Sequence, residues 1–332
     1  MVPNMKLTES QLRRFIATEA RKALQETKKF SLKSLLKEEE APVVKGVDWN
    51  SNYEAFVSAL KSNASDPKVQ AFIKAGKLDK DENDDKFNFS NTNLKVAGLI
   101  PTQNEIDVDK SLGWPLKKAE TFLNYVKGSG QTFTLGSPIV TYKGQYIIDG
   151  HHRWSQLYAC NKDASIAAVD ISVEGLEPLD VLKAVQAAIA IQTGDVPVQS
   201  VEGTNLLKID ESGLESWLNS KMSPQFLEAC KGDESAMSIM KETSKGDEDP
   251  VKLVSGFIWT NVQDMQAQSQ PVPGAPKRDF MPQTDNIDWQ KPLETGEVDI
   301  AAPHATVTKA EAIRNNGTVL VERWQKLAGL IK

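Results

Sequence analysis

The stretch SPIVTYKGQYIIDGHHRWSQLYAC, residues 137–160, decides how this chain is read. SPIVTY and YIID are two short β runs, and the KGQ between them is a glycine-containing turn. A helix follows from about His151, with Trp154, Leu157 and Tyr158 on one face. The stretch therefore predicts strand, turn, strand, then a glycine hinge at Gly150 into a helix.

That hinge carries chemistry. The first turn of a helix has backbone N–H groups without partners inside the helix, and these donors together with the helix dipole suit an anion. Gly150 lets a ligand approach the backbone closely. His152 and Arg153 add side-chain donors, and a guanidinium can grip phosphate through two parallel bonds. Asp149 is out of place in a phosphate cradle unless it binds Mg²⁺, orients a histidine or caps the helix. His151 is a candidate acid or base. Zinc is excluded by geometry. Adjacent helical residues do not share a face, and Cys160 lies about 12 Å along the helix from His152.

The bulk numbers set limits. The chain has 332 residues, 40% hydrophobic and 25% charged, with a formal net charge of -6. No overall basic field favours nucleic acid or an anionic membrane. Two cysteines, Cys160 and Cys230, are too few for a disulfide framework. No apolar stretch reaches the roughly 20 residues that span a bilayer, and the expected location is cytoplasmic.

Around residues 137–160 the chain divides by pattern. Residues 1–46 predict an amphipathic helix, MKLTESQLRRFIATEARKALQE, and a linker. Residues 47–93 predict a helix from about Tyr53 to Gly76 and an acidic exposed loop, LDKDENDDKFNFSNTN. Residues 94–175 mix strands and helices. LKVAGLI is a strand candidate. PLKKAETFLNYVKG is a helix ending at Gly128, and SIAAVDISV is a strand with Ala167, Val169, Ile171 and Val173 on one side. Trp114 is expected in the core or at a helix entry. Residues 176–263 are helical, 264–306 form a proline-rich extended arm, and 307–332 form a last amphipathic helix. The fold class is α+β: a small mixed domain set in mainly helical extensions.

IIDGHHRW, preceded by GLIPTQNEID and SPIVTYKGQY, resembles the ParB/sulfiredoxin-like fold, in particular its ParB-like nuclease group, over about residues 94–173. The resemblance implies a small α/β domain that binds a nucleotide or phosphate at this box. Sulfiredoxins carry a catalytic cysteine where this chain has His151, so their reaction is not implied. Chromosome-partition ParB proteins carry G-E-R-R at this box, and no helix-turn-helix follows Val173 here. Free-serine kinases of this fold use the same D-G-H-H-R run, with an upstream glutamate as base. Glu105 is the matching residue, with Asp107 and Asp109 as competitors.

Two functions follow as expectations. The first is Mg²⁺-dependent phosphoryl transfer or phosphate-ester hydrolysis by a kinase, NTPase or nuclease. Gly150, His152 and Arg153 would bind the phosphates of a nucleotide such as ATP, ADP or CTP. Glu105, Asp149 and His151 would be catalytic, and Asp149 would hold Mg²⁺. The second is a non-enzymatic structural or interaction protein that keeps the fold and meets protein partners through its terminal helices and proline-rich arm. The opening MKLTESQLRRFI resembles the start of proteins from tailed phages of aquatic bacteria, which adds a virion component to that reading.

Overall fold

The computed structural model describes residues 47–74, 86–197, 203–244 and 249–298, all within one compact unit, Pro42–Lys332. The predicted N-terminal helix and the last helix, 307–332, lie outside the described residues. The fold is α+β, a mixed sheet with helices on both faces.

In chain order the elements are α1 (Tyr53–Asn63), α2 (Pro67–Ile73), β1 (Asn88–Lys95), β2 (Ile100–Pro101), α3 (Val108–Lys117) and α4 (Ala119–Lys127). They continue with β3 (Thr132–Phe133), β4 (Ile139–Tyr142), β5 (Tyr146–Asp149), α5 (His151–Cys160), β6 (Ser165–Ser172) and α6 (Pro178–Thr193). The last are α7 (Glu211–Lys221), α8 (Pro224–Gly232), α9 (Glu234–Ser244), α10 (Pro250–Gln268) and α11 (Gln290–Glu294).

The sheet order is β1-β6-β4-β5-β2, with β3 also paired to β6. The β4–β5 hairpin forms as the sequence predicts. Lys143 and Gly144 both take positive φ, the backbone that a tight hairpin turn demands. β6 is central and runs parallel to β4. Its buried residues are Ile166, Ala168 and Ile171, whereas Ala167 and Val169 are only half-buried. The side expected to be buried is so at Ile171 and Val173 but only partly at Ala167 and Val169, while Ile166 and Ala168 bury the other side in the core that they share with α3, α4, α5 and α10.

One apolar core joins α3, α4, α5 and α10 to one side of the sheet, through Leu112, Phe122, Trp154, Leu157, Phe257 and Ile258. A second joins α1 and α6 to the other side, through Phe56, Leu60, Val185 and Ile189. Trp154 is fully buried and donates from Nε1 to the Val96 carbonyl at 2.9 Å. This bond satisfies the indole N–H and fixes the start of α5 against the turn of 3-10 helix that follows β1.

Several local expectations change. Residues 88–93 are not a loop. They belong to β1, held by an eight-residue antiparallel ladder with β6. LKVAGLI splits into the end of β1, a turn of 3-10 helix at Val96–Gly98, and β2. PLKKAETFLNYVKG is two helices broken at Lys118, with Pro115 inside α3. Trp114 is not in the core but 56% exposed. The helix α9 falls within residues 176–263, the stretch expected to be helical. The described part of the proline-rich arm lies across its own chain: Val272 N–H donates to the Pro101 carbonyl at 3.1 Å, and Asn104 N–H to Pro276 at 3.0 Å. Among the described residues, no helix is long and apolar enough to cross a membrane.

Candidate functional site

A cleft of about 540 Å³ opens where β5 passes into α5. Asp149, Gly150, His151, His152 and Arg153 all line it. The turn works because Gly150 sits at φ 92°, ψ 24°, a left-handed conformation that caps α5 without a side-chain cap bond. The backbone also passes so close to β4 that a Cβ at Gly150 would lie 2.6 Å from Ile139 Cγ2.

The sequence foresaw this strip of the wall but not the rest. Lys110 comes from α3, and Ser137 from the loop before β4. Arg278, Met281, Gln283, Thr284 and Asp285 come from the arm. Arg278 is 126 residues beyond His152 in the chain, yet its Nη1 lies 2.5 Å from His152 Nε2. The only sequence signal for it was the Lys277-Arg278 pair inside an otherwise polar, proline-rich run.

Each predicted residue has a definite place. Arg153 reaches the cleft, but much of its fork is taken. Nη1 donates to the Ser137 and Pro138 carbonyls at 2.8 and 2.9 Å, and Nη2 pairs with Asp149 Oδ2 at 2.6 Å. The free two-pronged grip predicted from sequence is replaced by a brace that holds the 137–138 loop to α5, while the charge stays on the wall. Burial raises the Asp149 carboxyl above its ordinary range, opposed by Arg153 and by the Gly150 amide. Asp285 raises it further.

His151 is buried, and its Nε2 accepts the Thr102 N–H at 3.2 Å. Burial, helped by Arg278 and Arg153, pushes its pKa down to about 3. His152 accepts the Asp107 N–H at Nε2, 3.2 Å away. Burial, then Arg278, His151 and Lys110, push its pKa down to about 2. Both imidazoles are therefore neutral at pH 7. They serve as acceptors that fix β2 and the start of α3 to the α5 turn.

This has a consequence for acid stability. Starting near the ordinary value of 6.5, the unfolded chain takes protons that the folded histidines refuse. Stability present above that pH is lost as pH falls toward the folded values. The expected loss is about 1 kcal/mol per histidine between about pH 6.5 and 5.5. Asp149 works in the opposite direction, since a carboxyl raised by burial favours the folded state once protonated. Urea denaturation at a series of pH values checks this, and His152→Gln should remove its own share of the slope.

The three upstream carboxylates separate. Asp109 is exposed and pairs with Lys221 at 2.5 Å. Asp107 caps α3 by accepting the Lys110 N–H at 2.8 Å. Glu105 Oε2 accepts the Arg278 N–H at 3.4 Å, and Glu105 is not among the residues lining the cleft.

Among the described residues no group of three or more metal-ligating side chains is brought together. Mg²⁺ needs fewer, since it keeps waters and is commonly held by one or two carboxylates plus phosphate oxygens. Asp149 and Asp285 both line the cleft, and their mutual repulsion is the kind a cation relieves. The chemical fit to Mg²⁺ is therefore adequate once phosphate is present. Compared with known proteins, the chain matches no family model, no curated protein and no solved structure.

Proposed function

We propose that this protein binds the phosphates of a nucleotide in the cleft at the start of α5 and catalyses phosphoryl transfer or phosphate-ester hydrolysis there. One observation supports the reading above the others. Lys110, Arg153 and Arg278 come from three separate parts of the chain and line one cleft at a helix start that has a glycine and no side-chain cap bond. Cations and backbone donors converging on one small cleft suit a phosphate group.

In this reading the amides of His151, His152 and Arg153 receive phosphate oxygens. Lys110 and Arg278 balance their charge, and Arg153 keeps the 137–138 loop in place. Asp149 and Asp285 would hold Mg²⁺, which supplies charge neutralisation at the transferred group. With Mg²⁺ on it and Arg153 against it, Asp149 serves as a ligand and not as a proton carrier. Glu105 positions Arg278. The two neutral histidines set the shape of the turn and do not exchange protons.

The test is heat stabilisation by ATP, ADP and CTP with Mg²⁺, followed by product analysis with labelled nucleotide. Ligand at about 100 times its dissociation constant should add about 2.7 kcal/mol. Asp149→Asn should lower turnover far more than Glu105→Gln does. A stronger effect of Glu105→Gln would give Glu105 a proton-accepting role.

A second reading rests on a different observation: Arg153 and both histidines are already engaged by protein groups. A cleft so braced suits a non-enzymatic interaction protein, a virion component included. Binding without product formation would favour it.

A further inference from the structure

The cleft walls hold charged groups, two inward-held imidazoles and the aliphatic side chains of Leu135, Met281 and Pro282, but no Phe, Tyr or Trp. The one large hydrophobic side chain exposed among the described residues is Trp114, at 56%. It lies on α3, four residues after the cleft-lining Lys110. Residues four apart share a helix face, about 6 Å apart along the axis. The helix therefore begins beside the cleft, with Asp107 N–H on His152, and carries Lys110 and then Trp114 outward on one side. Lys118 Nζ sits 5.8 Å from the Trp114 ring centroid, a further cation along the same path.

We infer that Trp114 is the platform on which the base of a nucleoside di- or triphosphate stacks while its phosphates occupy the cleft. This rests on the phosphate-binding reading above and adds the part of the ligand that the cleft leaves unread. An aromatic face beside a row of cations matches the alternation of base and phosphate in a nucleotide. Stacking accepts any base, so ATP and CTP should both gain from it.

The experiment compares dissociation constants of ATP, CTP and inorganic tripolyphosphate, each with Mg²⁺, for the full chain and for Trp114→Ala and Trp114→Phe. Both nucleotides should bind about 5- to 150-fold tighter than tripolyphosphate, the usual gain from one stacked base. Trp114→Ala should abolish that advantage while leaving tripolyphosphate unchanged, and Trp114→Phe should restore most of it. Unchanged nucleotide binding in Trp114→Ala would overturn the assignment, and so would equal binding of nucleotides and tripolyphosphate to the wild type. Either result leaves the phosphate cleft standing. Failure of all three ligands to bind would remove the cleft reading and this inference together. Trp114 contributes nothing to the core, so the folded state should survive both substitutions.

Discussion

Gly150→Ala is expected to cost about 2–5 kcal/mol of folding stability and to abolish anion binding in whatever fraction stays folded. Two separate penalties combine. The residue sits at φ 92°, where an L side chain is strained by about 1–2 kcal/mol. The added methyl would also stand 2.6 Å from Ile139 Cγ2 and 3.0 Å from Arg153 Nη2. Ile139 is fully buried in β4, so it has little room to retreat. Gly175 is the control. Its φ is 75°, but nothing lies within 4 Å of its would-be Cβ. Gly175→Ala should show only the backbone part, about 1–2 kcal/mol. Urea denaturation of the two variants separates strain from contact. Equal costs would mean that the β4–α5 approach is not as tight as described.

The second large effect is at Arg278. Arg278→Ala should weaken tripolyphosphate binding roughly 10- to 150-fold, the worth of a charged hydrogen bond of about 1.5–3 kcal/mol. The neighbouring exposed Lys277 is the comparison, and Lys277→Ala should change binding little. Arg278→Lys should restore part of the affinity, since lysine keeps the charge but lacks the planar fork. The same variant has a second readout. Arg278 is one of the groups holding the His152 pKa down, after burial itself. Removing it should raise the His152 pKa from about 2, as followed by histidine ring resonances against pH. A binding defect with no change at His152 would place Arg278 elsewhere than against that ring.

These two residues show what the sequence discloses and what it does not. Gly150 was legible because the signal is local. Two apolar runs, a glycine turn and a helix pattern sit within 24 consecutive residues, and each fixes its own dihedrals or its own buried face. The apolar helix α6, buried on nearly every side, and the strand β6 are legible for the same reason. β1 was not, because NFSNTNLK is rich in asparagine and serine, residues that favour turns. It becomes a strand through its ladder to β6, whose residues pair with it from Asn88↔Ser172 to Lys95↔Ser165, far away in the chain. The split of α3 from α4 was missed because proline usually ends a helix, whereas Pro115 is held inside α3 and the break comes at Lys118.

The candidate site divides along the same line. Asp149 to Arg153 are contiguous and were picked out together. Lys110 and Arg278 reach the cleft only through tertiary packing of α3 and the arm. The roles of the local residues shifted for an equivalent reason. Sequence identifies a histidine or an arginine as a donor or proton carrier, but burial and neighbours decide its charge and its partners. His151 and His152 lie too deep, and too close to arginines, to be protonated at neutral pH.

The central claim is that the start of α5 receives an anion through its own backbone. It is tested most directly by nitrogen-15 amide spectra of the full chain titrated with tripolyphosphate and Mg²⁺. The amides of His151, His152 and Arg153 should shift downfield together, saturably and at one shared midpoint, and Arg278→Ala should move that midpoint to higher concentration. Stationary signals at those three residues, with shifts scattered over surface lysines instead, would contradict the account.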